Sequence, residues 1–247
     1  MPSLIEINNM SFSYSGINGE FPVFNNLNLL VEKGEKIGLI GANGAGKSTF
    51  LRILIGLLSD FTGKIYIDTK ELNKKNIDEI REKAGYVFQD SDSQLFMSTV
   101  WEDVAFGPQN KGLSEDEVNS CVKEALIKTR IENLSSKQVF KLSGGQKKLA
   151  SIATVLSMKP EIILMDEPSV ALDPANRENL VNVLRSLKNT QIIASHDLDF
   201  IYDTCDRVIL LSNGVIVADG TTDDILKNKY ILEKNGLRLP LSFRFNN

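Results

Sequence analysis

Gly41-Ala42-Asn43-Gly44-Ala45-Gly46-Lys47-Ser48-Thr49 follows directly on the apolar run Lys36-Ile37-Gly38-Leu39-Ile40 and leads into Lys47 to Leu57, which has helical periodicity. The stretch fits G-x-x-x-x-G-K-[ST], a loop whose glycines let backbone N–H groups wrap the α- and β-phosphates of a nucleotide. Lys47 then reaches the β/γ oxygens and Ser48 meets Mg²⁺, with Asn43 and Thr49 in the same binding stretch. Strand, loop and helix stand in the order such a loop demands, so an ordinary glycine turn is the poorer reading. A nucleoside triphosphate is expected to bind here.

A second anion grip lies about a hundred residues further on, at Leu142-Ser143-Gly144-Gly145-Gln146. Two glycines and a serine stand where a helix begins, so free N–H groups and the positive dipole end face outward. One nucleotide-binding domain rarely needs two such grips. If both hold the same γ-phosphate, they come from two chains, and the working unit is a dimer with ATP in the seam.

The 247 residues suffice for one large domain with an inserted subdomain. A net charge of −4 argues against a nucleic-acid partner, since such domains usually display a basic face. Cys121 and Cys205 follow no metal or redox spacing and read as small apolar side chains in a reducing compartment. The longest apolar stretches, such as Ile53 to Leu58 and Ile162 to Met165, fall far short of the ~20 residues of a membrane helix. Met1-Pro2-Ser3-Leu4 lacks the pattern of a signal peptide. A cytoplasmic protein with at most peripheral membrane contact is expected.

Alternating runs at Leu4 to Ile7 and Val23 to Val31 predict an antiparallel sheet at the start. Further strands are expected at Gly63 to Asp68 and Gly85 to Phe88, with loop and a short helix over Leu72 to Glu82. From Ser91 to about Ala150 helical patterns take over at Val100 to Phe106, Ser114 to Lys128 and from Gly144, and Ser114 with Glu117 makes a capping box. Strands return at Glu161 to Asp166 and Thr190 to Ser195, around a helix over Pro174 to Lys188. Val208 to Ala218 reads as a hairpin turning at Asn213-Gly214. The fold expected is α/β: a core with mostly parallel central strands and an antiparallel β subdomain over 1–90 and 151–226, a helical insertion over 91–150, and a tail over 227–247. Pro240 and the terminal Asn residues predict little regular structure in that tail.

Five further residues carry chemistry. Ile162 to Met165 delivers Asp166 and Glu167 at a strand's carboxyl end, where ligands of parallel sheets collect. Asp166 suits holding Mg²⁺, and Glu167 could polarise or deprotonate an attacking water. His196, the single histidine, follows the apolar run Ile192 to Ser195 and is placed to sense a γ-phosphate. Gln89, just past a strand, can offer its amide oxygen to Mg²⁺ or to the lytic water. Tyr14 either stacks on adenine or packs within the sheet, with Phe12 as a core neighbour.

Together with Ser169-Val170-Ala171-Leu172-Asp173 and Ser195-His196-Asp197, this set resembles the ATPase subunit of ABC transporters across nearly the whole chain. The resemblance implies an ABC ATPase fold and a head-to-tail dimer in which the P-loop of one subunit and Ser143, Gly144, Gly145 and Gln146 of the other sandwich each ATP, with Asp173 linking the two sites. Val87-Phe88-Gln89-Asp90-Ser91-Asp92-Ser93-Gln94-Leu95-Phe96 and Val100 to Asn110 further resemble energy-coupling-factor (ECF) importers, a group that includes cobalt, nickel and vitamin uptake ATPases. That implies a second ATPase subunit, identical or closely related, an integral membrane coupling subunit gripped by the helical insertion, and a substrate-binding membrane subunit. The short tail, Leu232 to Pro240 and a little beyond, leans toward the cobalt and nickel type. A vitamin importer, or a soluble ABC ATPase acting on ribosomes or DNA, are the alternatives. Two positions depart from the pattern: Leu149 stands where the family usually has arginine, and Ala171 where glycine is common.

Overall fold

Apolar and polar residues alternate along the first strands, and burying one face of each produces an antiparallel sheet. In this computed structural model, which describes residues 3–16 and 19–244, β1 (Ile5–Gly16) pairs with β2 (Gly19–Val31) and with β4 (Phe61–Ile67), and β5 (Lys70–Glu71) joins β4 ahead of the short helix α2 (Ile77–Lys83). Ile5, Ile7, Met10 and Phe12 of β1 and Phe24, Leu27, Leu29 and Val31 of β2 are buried. The inward spacing jumps from two to three at Asn9 and at Asn26, both left-handed at φ 53°, and the β1/β2 register shifts between Ile7 and Phe12. Asparagine tolerates that conformation, so paired bulges keep the apolar face inward.

The chain packs as two units: residues Met1–Arg81 with Thr190–Asn247, and Glu82–Asn189. Besides the antiparallel sheet, the first unit contains β3 (Lys36–Ile40), flanked in parallel by β8 (Thr190–Ala194) and β9 (Arg207–Ser212), with β10 (Val215–Thr221) antiparallel to β9. β3, β8 and β9 are buried almost throughout, as expected of parallel strands covered on both faces. Asn213 and Gly214 both take positive φ, 48° and 77°, which makes the β9–β10 connection the two-residue turn read from the sequence. The helix α1 (Lys47–Leu54) ends three residues earlier than its periodicity suggests, because Gly56 turns left-handed and Leu57 and Leu58 return their amides to the carbonyl of Arg52.

In the second unit β6 (Ala84–Val87) and β7 (Ile162–Asp166) pair in parallel, Val87 opposite Met165. The helices α3 (Val100–Asn110), α4 (Glu115–Thr129) and α5 (Gly144–Leu156) pack on one another, and α5 also packs on β6 and on α6 (Pro174–Ser186). The helical segment expected over 91–150 lies within this unit. The capping box at Ser114 and Glu117 forms, as does one at Thr99 and Glu102 that opens α3.

The tail corrects the expectation of little regular structure. Past α8 (Thr222–Leu226), which precedes the tail, α9 (Lys229–Lys234) and α10 (Leu241–Arg244) are helical. Asn228 caps α9 through Ile231 N–H at 3.1 Å, Leu232 is buried, and the Leu241 and Ser242 amides donate to the Asp199 carboxylate at 2.7 and 3.0 Å. Pro240 starts a helix here, a place where its missing N–H costs nothing. Met1, Pro2, Ile17, Asn18 and the tail's last residues, Phe245, Asn246 and Asn247, lie outside the described residues.

Candidate nucleotide site

In the first unit β3 ends at Ile40 and the glycine loop begins. A Cβ on Gly41 would lie 2.5 Å from the Leu211 carbonyl oxygen, and one on Gly46 would lie 2.8 Å from the Phe24 ring. Gly46 is also left-handed at φ 95°, so glycine answers both the conformation and the close approach. The loop is thereby pressed onto β2 and β9, and α1 starts with no side-chain cap and no acidic residue in its first turn. Its leading N–H groups and dipole favour an anion. Lys47 is buried and donates to the carbonyl oxygens of Gly41 at 2.8 Å and Ala42 at 3.3 Å, holding its ammonium across the loop.

The same unit contains two of the other expected residues. The Tyr14 hydroxyl lies 3.0 Å from Thr49 Oγ1 on α1, and its half-exposed ring stands edge-on to buried Phe12 at 4.9 Å. His196 is exposed just past β8, whose Ala194 is in register with Leu39 of β3. The Ser195 amide still donates to the Leu39 carbonyl at 3.3 Å, and Asp197 then caps the helix α7 (Leu198–Thr204) through Phe200 N–H at 2.9 Å. His196 therefore leaves the sheet at the end where β3 feeds the glycine loop.

In the second unit the parallel strands β6 and β7 bring Gln89 and the Asp166-Glu167 pair to one sheet end. Asp166 is buried and accepts from the Tyr86 hydroxyl at 3.2 Å. Glu167 takes a left-handed φ of 46°, a costly conformation for this residue type and one that clusters at functional sites. Ala171 is left-handed as well, at φ 62°. The departure from glycine thus places a Cβ in a backbone conformation that disfavours it. Left-handed backbone costs a non-glycine residue roughly 1–2 kcal/mol, while glycine gives back about 0.4–1 kcal/mol through the unfolded chain. Ala171→Gly is therefore expected to stabilise the fold by roughly 0.5–1 kcal/mol, read as a higher urea midpoint at unchanged slope.

Ser143 caps α5: its Oγ accepts from Gln146 N–H at 3.3 Å while Gln146 Oε1 accepts from Ser143 N–H at 3.2 Å. A Cβ on Gly145 would lie 2.3 Å from Asn176 Cγ on α6, so the second glycine of the motif is a packing requirement. Asn176 is itself bonded to Asp173, the cap of α6, by its backbone N–H at 2.9 Å. Loss of the cap in Ser143→Ala should cost about 1 kcal/mol in urea unfolding.

The sequence reading did not single out Lys148. It is 3% exposed, and its Nζ donates to the carbonyl oxygens of Phe88 and Gln89 at 2.9 and 2.8 Å. Burial lowers its ammonium to about 8, opposed by the charges of Asp90 and Asp166. Helical spacing was the available signal, because Gly145, Lys148, Leu149 and Ile152 fall on one buried stripe of α5.

The donor set suits a nucleotide with its divalent cation. Ser48 in the first unit, and Asp166 and Gln89 in the second, are each hard oxygen donors of the kind that bind Mg²⁺. A glycine cradle before an uncapped helix and two carboxylates closing a parallel strand define a P-loop ATPase. Residues 24–170 match the family model described as ABC transporter. The energy-coupling factor transporter ATP-binding protein EcfA of Methanothermobacter thermautotrophicus is 41% identical over 96% of this chain and 77% of its own length. The structure of cbiO1 from Clostridium perfringens, described as part of the ABC transporter complex cbiONQ, superimposes with a TM-score of 0.85 at 35% identity over 95% of this chain and 94% of that one. A dimeric, post-hydrolysis structure of the ATP-binding cassette MJ0796, bound to ADP and Pi, gives 0.79 at 28% identity, over 88% of this chain and 98% of that one. The chain belongs to the ABC transporter family, and it is an ATP-binding ABC ATPase.

Proposed function

We propose that this chain hydrolyses ATP to drive an ECF-type membrane importer, with cobalt or nickel ions as the cargo. The glycine cradle, Gly41, Asn43, Gly44, Gly46, Lys47, Ser48 and Thr49, binds the phosphates, and Tyr14 stacks on adenine. Ser48, Asp166 and Gln89 hold Mg²⁺, which supplies charge neutralisation for phosphoryl transfer when bound. Glu167 takes a proton from the attacking water, and His196 donates to the γ-phosphate. Ser143, Gly144, Gly145 and Gln146 of a second copy, or of a close paralogue, complete the seam. The observation that carries the hydrolytic reading is the strained backbone of Glu167 directly behind buried Asp166.

Attachment to a membrane partner is supported by exposed aromatic side chains in the second unit. Phe96 is 64% exposed and stands edge-on to Phe106 at 4.9 Å, and Phe140 is 72% exposed. Such apolar surface marks an interaction site, and it suits the coupling helices of an integral membrane subunit beside a substrate-binding membrane subunit. No helix among the described residues is long and apolar enough to cross a membrane, so on this reading the chain sits peripherally on the cytoplasmic face. The likeness to EcfA supports an energy-coupling-factor transporter, within which a vitamin is the alternative cargo. ATP-dependent uptake of ⁵⁷Co²⁺ or ⁶³Ni²⁺ into vesicles carrying this chain with its co-purified membrane partners tests the cargo. Uptake of a labelled vitamin with no metal uptake would assign the second.

A further inference from the structure

The segment that carries Gln89 hangs on one side of the signature helix α5. Besides the two Lys148 bonds, Gln94 accepts from Phe88 N–H at 3.0 Å and donates to the Ser151 carbonyl at 2.8 Å and to Thr154 Oγ1 at 2.9 Å. Lys147 pairs with Asp92 at 2.5 Å. Lys147, Lys148, Ser151 and Thr154 form one stripe of α5 facing this segment, because three- and four-residue steps return to the same helix face. Of these ties, only Lys148 reaches Gln89 itself. An ammonium sheltered from water and shared by two carbonyl oxygens makes strong, charge-assisted bonds, and removing it leaves both acceptors unpaired. The neighbouring Leu149, in the position where the family resemblance puts arginine, is 4% exposed and apolar, so the inward cation of this turn is Lys148.

We propose that Lys148 is the positioning residue for Gln89: it fastens the Gln89 backbone to the signature helix, so that Ser143 at the helix start and the Gln89 amide move as one piece. This rests on the role given to Gln89 above. Nucleotide binding by the glycine loop does not need the tie, whereas turnover, which needs Gln89 in register, does.

Lys148→Met removes the donors at similar length. In the purified full chain it is expected to lower kcat for ATP hydrolysis by about tenfold to a hundredfold, the scale of a misplaced group, while KM for ATP stays within twofold. The same substitution in a Gln89→Ala background should lower kcat by less than twofold further, since the two act as a unit. Equal losses in both backgrounds, a Lys148→Met kcat within twofold of the parent, or a raised KM with kcat intact would each overturn the proposal. Should Lys148→Met fail to fold by circular dichroism, Lys148→Leu, which also removes the donors, takes its place in the same cycle under the same criteria. A Gln89→Ala enzyme with parental kcat would instead remove the role of Gln89, a result distinct from an additive cycle.

Discussion

Glu167→Gln is expected to retain ATP binding while losing turnover by a factor on the order of 10²–10⁴, the usual contribution of a general base. The two side chains have nearly the same size, so the substitution leaves the left-handed turn at φ 46° intact and removes only the basicity. Tyr86 continues to orient Asp166, so the proposed Mg²⁺ site should be preserved. With hydrolysis blocked, a dimer closed over ATP has no way to reopen. Size exclusion with excess ATP should therefore show the variant moving from monomer to dimer, where the parent returns to monomer as ATP is consumed. Parental turnover in Glu167→Gln would take the catalytic role away from this residue. A variant that is inactive yet monomeric with ATP would leave Glu167 in place and refute the shared seam.

Lys47→Ala should abolish nucleotide binding at ordinary concentrations. Lys47 makes two bonds across the loop, to the carbonyl oxygens of Gly41 and Ala42, and its ammonium is the one charge the loop offers to phosphate oxygens. Charge-assisted hydrogen bonds contribute about 1.5–3 kcal/mol each. Loss of two such bonds to phosphate oxygens predicts a Kd raised by roughly 10²–10⁴. Calorimetric titration with ATP and with ADP checks this, and unaltered affinity would overturn the phosphate assignment. The fold itself should survive, because the apolar face of α1, with Phe50, Leu51, Ile53 and Leu54 buried, does not depend on the lysine.

The antiparallel sheet, the strand that feeds the glycine loop and the Asn213-Gly214 turn could be read ahead of the structure because each rests on local rules. Period-two alternation, a fixed motif and a turn that demands positive φ are properties of adjacent residues. The helices over 100–156 were equally open to reading from periodicity and one capping box. The tail was not. Pro240 looks the same as a breaker or as a helix start, and what decides is an acceptor forty residues away, Asp199. Lys148 was hidden for a related reason: a lysine in a polar-looking doublet reads as solvated, and only the burial of α5 turns it inward onto the carbonyls of Phe88 and Gln89.

The glycine loop, the helix start at Ser143 and the carboxylate pair were thus legible in the order of residues, since each follows from residue types at a fixed local spacing. The strain at Glu167 and Ala171, the packing demand at Gly145 and the tie from Lys148 to Gln89 came from the folded chain. Each depends on groups brought together from distant positions or on a backbone angle imposed from outside, and neither leaves a trace in the neighbouring letters.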